Sequence, residues 1–299
     1  MRRHSRAALR SPDSCRSRGA PSRWLGLGIA CALVLAATVC WADPRTSLKP
    51  GWNLFTPEQD IRIGSQASAR IGQQVLLLND PRVDHYLDAL GQKLASYAPG
   101  YKYPYQYRCV NDENINAFAL PGGFIYINRG VIEAADDEAQ LAGVLAHETS
   151  HVALRHGTNQ VSKAEAWRIP FGLVGVAGGL GGLMAQVGSG FTLHSIVLKY
   201  SRDDEIQADV LGTQILYDSG YDPRALAQFF EKVDADSKRK RLAQFFSDHP
   251  HPGNRTERVD EEVEKLGGPE PNYRSDSDDF HSIKIYVMKL PRPPKPAAK

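Results

Sequence analysis

The residues best placed to do chemistry are His147-Glu148-Thr149-Ser150-His151, an HExxH pattern. Histidines at i and i+4 lie on one face of a helix, so their imidazoles converge as a two-point clamp for Zn2+. Glu148, next to the first histidine, is placed to reach a water in an open metal position. A catalytic zinc also needs a third protein ligand. The extended pattern HExxHxxGxxH does not supply it, because Leu154 stands where its Gly belongs and Gly157 where its third His belongs. His156 lies five residues past His151, about 140° off the ligand face of a continuous helix. It reads instead as a cation at the helix C-terminus, near the negative end of the dipole. The better donor is downstream, where Asp203-Asp204-Glu205-Ile206-Gln207-Ala208-Asp209 opens another strong helix with an ExxxD spacing. Glu205 is the expected third ligand, and Asp209, one turn on, is expected to hydrogen-bond a ligand histidine.

Elements able to position these groups are legible on both sides. Asp136-Asp137 cap a helix predicted to run to His156 and stop at Gly157, with Leu141, Val144, Leu145 and Val152 as its apolar packing. Ahead of it, Thr56-Pro57-Glu58-Gln59 starts a helix reaching about Asn79, and Asp80-Pro81 starts another that stops before Pro99-Gly100. Tyr105–Asn111, Asn116–Leu120 and Phe124–Ile127 read as short strands, the last after a Pro121-Gly122-Gly123 turn. Further helices are predicted at Ser201–Ser219, from Pro223 to about Lys240, and at Arg255–Leu266, with a final strand at His281–Leu290.

Charge is distributed unevenly along the 299 residues. Residues 1–42 hold seven arginines and one acid, Asp13, while 43–299 hold 29 basic and 33 acidic residues, a formal charge of −4. A body of that sign disfavours nucleic acid as a partner, since phosphate binding needs a positive surface. After the arginines, an uncharged apolar run from Trp24 to Trp41 ends at Cys40-Trp41-Ala42. Basic region, short apolar core and small residues at the cleavage site describe a secretory signal peptide cut after Ala42. The alternative is an uncleaved anchor; either places the body outside the cytoplasm, in a bacterial periplasm. Cys15, Cys31 and Cys40 all precede that cut, which leaves Cys109 alone and no internal disulfide. Between Arg168 and Lys199 no residue is formally charged, and eight glycines crowd residues 172–190. That segment, 169–190, is expected to form a loop or hairpin near the active site, with peripheral membrane contact as the other reading.

Taken together, the motifs resemble the gluzincin zinc metallopeptidases of the CAAX prenyl protease and HtpX family, peptidase family forty-eight. The resemblance runs from about Phe55 to Leu266. It rests on Asn116-Ala117-Phe118-Ala119-Leu120-Pro121-Gly122-Gly123, on the HExxH followed by Val152-Ala153-Leu154-Arg155-His156-Gly157, on Glu205-Ile206-Gln207-Ala208-Asp209, and on His249-Pro250 followed by Arg255. It is similar above all to the periplasmic BepA- and LoiP-like members, without the C-terminal helical repeats of the former. The resemblance implies an α+β fold, a mainly helical zincin-type domain with a small β-sheet whose edge strand lines the active-site cleft. It also implies that Asn116 and Ala117 hold the substrate backbone. His249 would lie near the metal, stabilising the oxyanion or closing the fourth position to keep the enzyme latent, and Arg255 would steady it or the transition-state charge.

The expected organisation is a signal peptide over 1–42, a zinc metallopeptidase domain over 43–290 and a disordered tail over 291–299. The expected function is a zinc metalloendopeptidase with one Zn2+ per chain, held by His147, His151 and Glu205, with Glu148 activating water. Its substrates would be misfolded or unassembled envelope and outer-membrane proteins. Two alternatives stay open: a latent quality-control or assembly factor that binds such proteins and rarely cleaves, and an integral membrane protease anchored through 24–41 or 169–190.

Overall fold

The computed structural model describes residues 44–168, 200–235, 245, 247, 249–250, 253–268, 270 and 272–293. The expected signal peptide and the glycine-rich segment 169–190 lie outside these residues.

Local signals start the first two helices where the sequence puts them. α1 (Pro57–Gln74) opens with a reciprocal capping box, Gln59 donating to the Thr56 hydroxyl and Thr56 to the Gln59 side chain. It ends before the expected Asn79, because Val75 is already extended. α2 (Pro81–Tyr97) is capped by Asp80 and stops at Ala98, the residue that Pro99 drives out of helical backbone.

Three strands follow, β1 (Gln106–Val110), β2 (Ala117–Leu120) and β3 (Phe124–Asn128). β3 lies in the middle, parallel to β1 and antiparallel to β2, so β2 is an edge. The β2–β3 turn needs its glycines. Gly122 has φ 77°, and a Cβ there would sit 2.4 Å from the Ile61 Cα of α1.

α3 (Arg129–Ala134) leads to α4 (Glu138–Ala153), capped by Asp137. Every residue of α4 is buried, polar ones included. A helix enclosed on all sides is the core of the domain rather than part of its surface. It packs against α6 (Arg202–Asp218), α7 (Ala225–Ala235), α2 and β2.

The predicted end of α4 is corrected. The helix stops at Ala153, and a second one, α5 (His156–Arg168), begins at His156 rather than being prevented by Gly157. Arg155 between them has φ 58°. Left-handed backbone costs a non-glycine residue about 1–2 kcal/mol, and tertiary contacts offset it here. The Arg155 guanidinium donates to both Asp60 oxygens, at 2.7 and 3.1 Å, and to the Phe55 carbonyl.

The predicted final strand is also corrected: Asp278–Lys289 is a helix, α9. Ser277 caps it, Asp278 and Asp279 complement its dipole, and Phe280, Ile283 and Val287 form a buried stripe at helical spacing. Arg129, fully buried on α3, donates to the carbonyls of Val287, Leu290 and Pro291 at the end of that helix. Pro291 and Arg292, expected in the tail, are therefore tied down, Arg292 also pairing with Glu133 at 2.6 Å. Residues 294–299 lie outside the described residues. α8 (Arg255–Lys265) completes the described helices, none of which is long and apolar enough to cross a membrane.

Close approach of α4 to α7 depends on Gly143, where a Cβ would meet the Leu226 backbone at 2.9 Å. Gly143→Val is expected to lower stability by about 1–3 kcal/mol through overpacking, measured by urea unfolding. A wild-type midpoint would mean that the two helices have slack.

Candidate active site

His147 and His151 sit one turn apart on α4 and present their Nε2 atoms to the same point, 3.0 Å from each other. α6 crosses α4 and delivers Glu205, whose Oε2 is 3.4 Å from His147 Nε2 and whose Oε1 is 3.4 Å from His151 Nε2. Gly212 of α6 faces the His147 backbone at this crossing. His249, ahead of α8, adds Nδ1 at 3.0 Å from Glu205 Oε1. These four buried side chains offer donor atoms that all lie within 4.8 Å of one another.

The residues present fit a zinc ion. Zn–N and Zn–O bonds of about 2.0–2.2 Å place neighbouring tetrahedral donors roughly 3.3–3.5 Å apart, close to the spacings seen here. Glu205 Oε2 and His249 Nε2 are buried without a hydrogen-bond partner, as expected of atoms whose natural partner is a cation. Two imidazoles and a carboxylate, with a third imidazole beside them, are the donor chemistry zinc takes.

Around these donors the charges are paired. Asp209, one turn beyond Glu205, lies 3.1 Å from His147 Nδ1 through one oxygen, while its other oxygen accepts from Arg255 Nε at 2.8 Å. The Arg255 guanidinium also stacks on the Phe230 ring and comes within 3.9 Å of Glu205. Burial alone would lower the pKa of His147, but its contacts with Asp209 and Glu205 win and lift it to about 10. His151 goes the other way, driven well below the usual histidine range by burial that Glu205 only partly offsets. Burial would raise Glu205, yet the His249 charge and the bonds from His147 and His151 hold it well below the usual carboxylate range. Asp209 is lowered in the same way, Arg255 and His147 outweighing burial. His249 is raised, because the Glu205 and Glu148 carboxylates outweigh its burial. Glu148 itself is fully buried, with Oε1 3.6 Å from His249 Nε2.

His156 is not the helix C-terminal cation that the sequence suggests; it opens α5. It is buried, its pKa pushed down to about 4 by that burial, and its Nδ1 lies 2.9 Å from His151 Nδ1. The helix break at Arg155 is what turns it back toward the site. Tyr200 is a second residue that sequence reasoning passed over. Its ring stacks on His151 at 3.7 Å between centroids, and its hydroxyl donates to the Ala119 carbonyl at 3.3 Å. The available signal was its position beside Ser201, which caps α6 with Asp204. Phe245, stacked on His249 at 4.5 Å, is a third.

The sheet edge adjoins these rings. Asn128 donates to the Asn116 carbonyl at 2.9 Å, so in this register the main-chain groups of Ala117 and Ala119 are the ones directed away from β3. The main-chain groups of Ala117 thus face away from the sheet, whereas the carbonyl of Asn116 is committed within it. A narrow cleft continues from the end of β2, lined by Leu120, His151, Arg155, Thr158 and Tyr200 among others.

Known proteins share this arrangement of sequence. Residues 81–263 match the model of Peptidase family M48. The chain is 30% identical over 240 residues to the beta-barrel assembly-enhancing protease of Escherichia coli (strain K12), covering 78% of this chain and 49% of that protein. It is 30% identical over 166 residues to the metalloprotease LoiP of the same organism, covering 52% of this chain and 62% of that protein. To the mitochondrial metalloendopeptidase OMA1 of Schizosaccharomyces pombe it is 30% identical over 154 residues, 51% of this chain and 44% of the relative. The chain spans about half the length of the assembly-enhancing protease it matches. The two-helix donor set is thus embedded in a match that covers more than half of the sequence, and the chain belongs to peptidase family M48.

Proposed function

We propose that the chain is a zinc metalloendopeptidase of the bacterial envelope, acting on misfolded or unassembled envelope proteins. The observation that carries this reading is the convergence of His147, His151 and Glu205 beside the Glu148 carboxylate, all of them buried. These three residues hold one Zn2+. When bound, the ion supplies a Lewis acid that polarises the scissile carbonyl and acidifies water to a pKa of about 7. Glu148 accepts the proton of the attacking water and delivers it to the leaving amine. Arg255 keeps Asp209 ionised and in place, and Asp209 in turn orients His147.

Recognition runs through the main chain. An extended peptide adds to the outward groups of Ala117 and Ala119 by strand pairing, which reads backbone rather than sequence. Asn116 stands at the start of that strand. Such recognition suits unfolded polypeptide, and the family relatives include a protein named for assisting beta-barrel assembly. The arginine-rich, apolar leader at 1–42 supports export to the periplasm, and the net negative charge of 43–299 disfavours nucleic acid as a partner.

A second reading is favoured by His249. Catalytic zinc sites keep one position open, whereas four protein donors close it, and His249 lies within the donor cluster. The protein would then be held latent, binding envelope proteins and cutting only when His249 is displaced.

Three outcomes test these readings. Glu148→Gln should keep zinc by metal analysis but lose at least about 100-fold in cleavage of fluorescent casein, and chelation should abolish wild-type cleavage. Cleavage by the variant at the wild-type rate would remove Glu148 as the base. His249→Ala should speed casein cleavage several-fold if the histidine holds the site shut; a slower enzyme would instead make His249 part of the reaction. Protein recovered from a periplasmic fraction should begin at Asp43 on N-terminal sequencing, and an intact leader would establish an anchor.

A further inference from the structure

His147 and His151 are both buried on α4, yet the groups behind them differ. His147 is backed by the carboxylate of Asp209, whereas behind His151 stands another imidazole, His156, with 2.9 Å between the two Nδ1 atoms. The rings are nearly perpendicular, 75° apart with centroids at 5.0 Å. Behind His156, in turn, Nε2 lies 3.9 Å from Asp204 Oδ1. Asp204 is itself fixed, its Oδ2 accepting from the Ser201 backbone, the Ser201 hydroxyl and Gln160 at 2.7–3.0 Å.

Only one proton fits between two imidazole nitrogens at that distance, and the metal centre decides where it sits. His151 Nε2 faces Glu205 and His147, so it must present a lone pair to a cation there. Its proton therefore sits on Nδ1 and is donated to His156. A neutral His156 that accepts on Nδ1 carries its own proton on Nε2, on the side of Asp204. We propose that His156 is a positioning residue, which accepts the Nδ1 proton of His151 and so fixes the ring and tautomer with which His151 binds zinc. The hydrogen-bonded order is imidazole, imidazole, metal, with the Asp204 carboxylate 3.9 Å beyond His156 Nε2. This rests on the reading of His151 as a ligand. It also gives a use to the left-handed Arg155, since a continuous helix would carry His156 away from His151.

Two substitutions separate positioning from packing. In His156→Asn the side-chain oxygen takes the place of Nδ1 and can still accept; His156→Leu fills similar space and cannot. Zinc affinity, measured by competition with a chromophoric chelator, is expected to weaken about 10–100-fold in His156→Leu, and by no more than about threefold in His156→Asn. Melting of the metal-free proteins should not follow that order. Nitrogen-15 NMR of the zinc-loaded wild type should find the His156 proton on Nε2. Equal losses in both variants, wild-type affinity in His156→Leu, or a proton on His156 Nδ1 would each overturn the proposal. The wild-type protein reports separately on the ligand reading: tight zinc binding there, unchanged in His156→Leu, removes the positioning role and leaves the metallopeptidase intact.

Discussion

The crossing of α4 and α6 governs the rest of the structure. It seals Glu205 and Asp209 against His147 and His151 in a place without solvent, where an ionised carboxylate costs several kcal/mol unless it is paired. Much of that pairing comes from partners that arrive from distant parts of the chain. Arg255 comes from α8 to Asp209, and His249 from the segment ahead of it to Glu205. A divalent ion among the Nε2 and carboxylate atoms would remove the remaining imbalance, which ties metal uptake to the stability of this crossing. α4 tolerates its polar residues for similar reasons. Thr149 and Ser150 return their hydroxyls to carbonyls one turn back, and Tyr107 meets Thr149 at 2.8 Å.

The sheet and the cleft are coupled to this crossing through one backbone feature. Arg155 ends α4 two residues after the helix proper and starts α5, and it holds its conformation by reaching Asp60 on α1. Tyr103 donates to the same carboxylate at 2.9 Å. The glycine turn after β2 presses on α1 a residue away, at Ile61. Asp60 therefore links the end of the ligand helix to the end of the edge strand. Both border the cleft that contains His151 and Tyr200.

Sequence reasoning read what depends on local periodicity and missed what depends on remote contacts. HExxH and ExxxD are spacings within single helices, so the facing of His147, His151, Glu205 and Asp209 could be derived before any fold was known. The same logic misplaced His156, because a rotation of about 140° presumes a continuous helix. The break at Arg155 is held by a carboxylate 95 residues upstream, which no local pattern announces. Residues 281–290 were ambiguous for another reason, since a short amphipathic run satisfies both periods. There the cap at Ser277 and the acidic first turn decide for helix. The sheet edge was legible as a strand, but the outward direction of Ala117 and Ala119 is a property of register with β3, which only pairing fixes.

Burial itself bears on how the centre works. Glu148 and all four donors are inaccessible to solvent, the His249 ring stacks on Phe245, and Tyr200 occupies the outward carbonyl of Ala119 while lying flat on His151. A strand added to β2 runs about 4.8 Å from it, and its N–H would need the acceptor that the Tyr200 hydroxyl now takes. One side chain, Tyr200, thus stands both at the outward carbonyl of the edge strand and against a ligand histidine. In the proposed reading, an extended polypeptide able to pair with the strand edge is the ligand that competes with the Tyr200 hydroxyl for the Ala119 carbonyl.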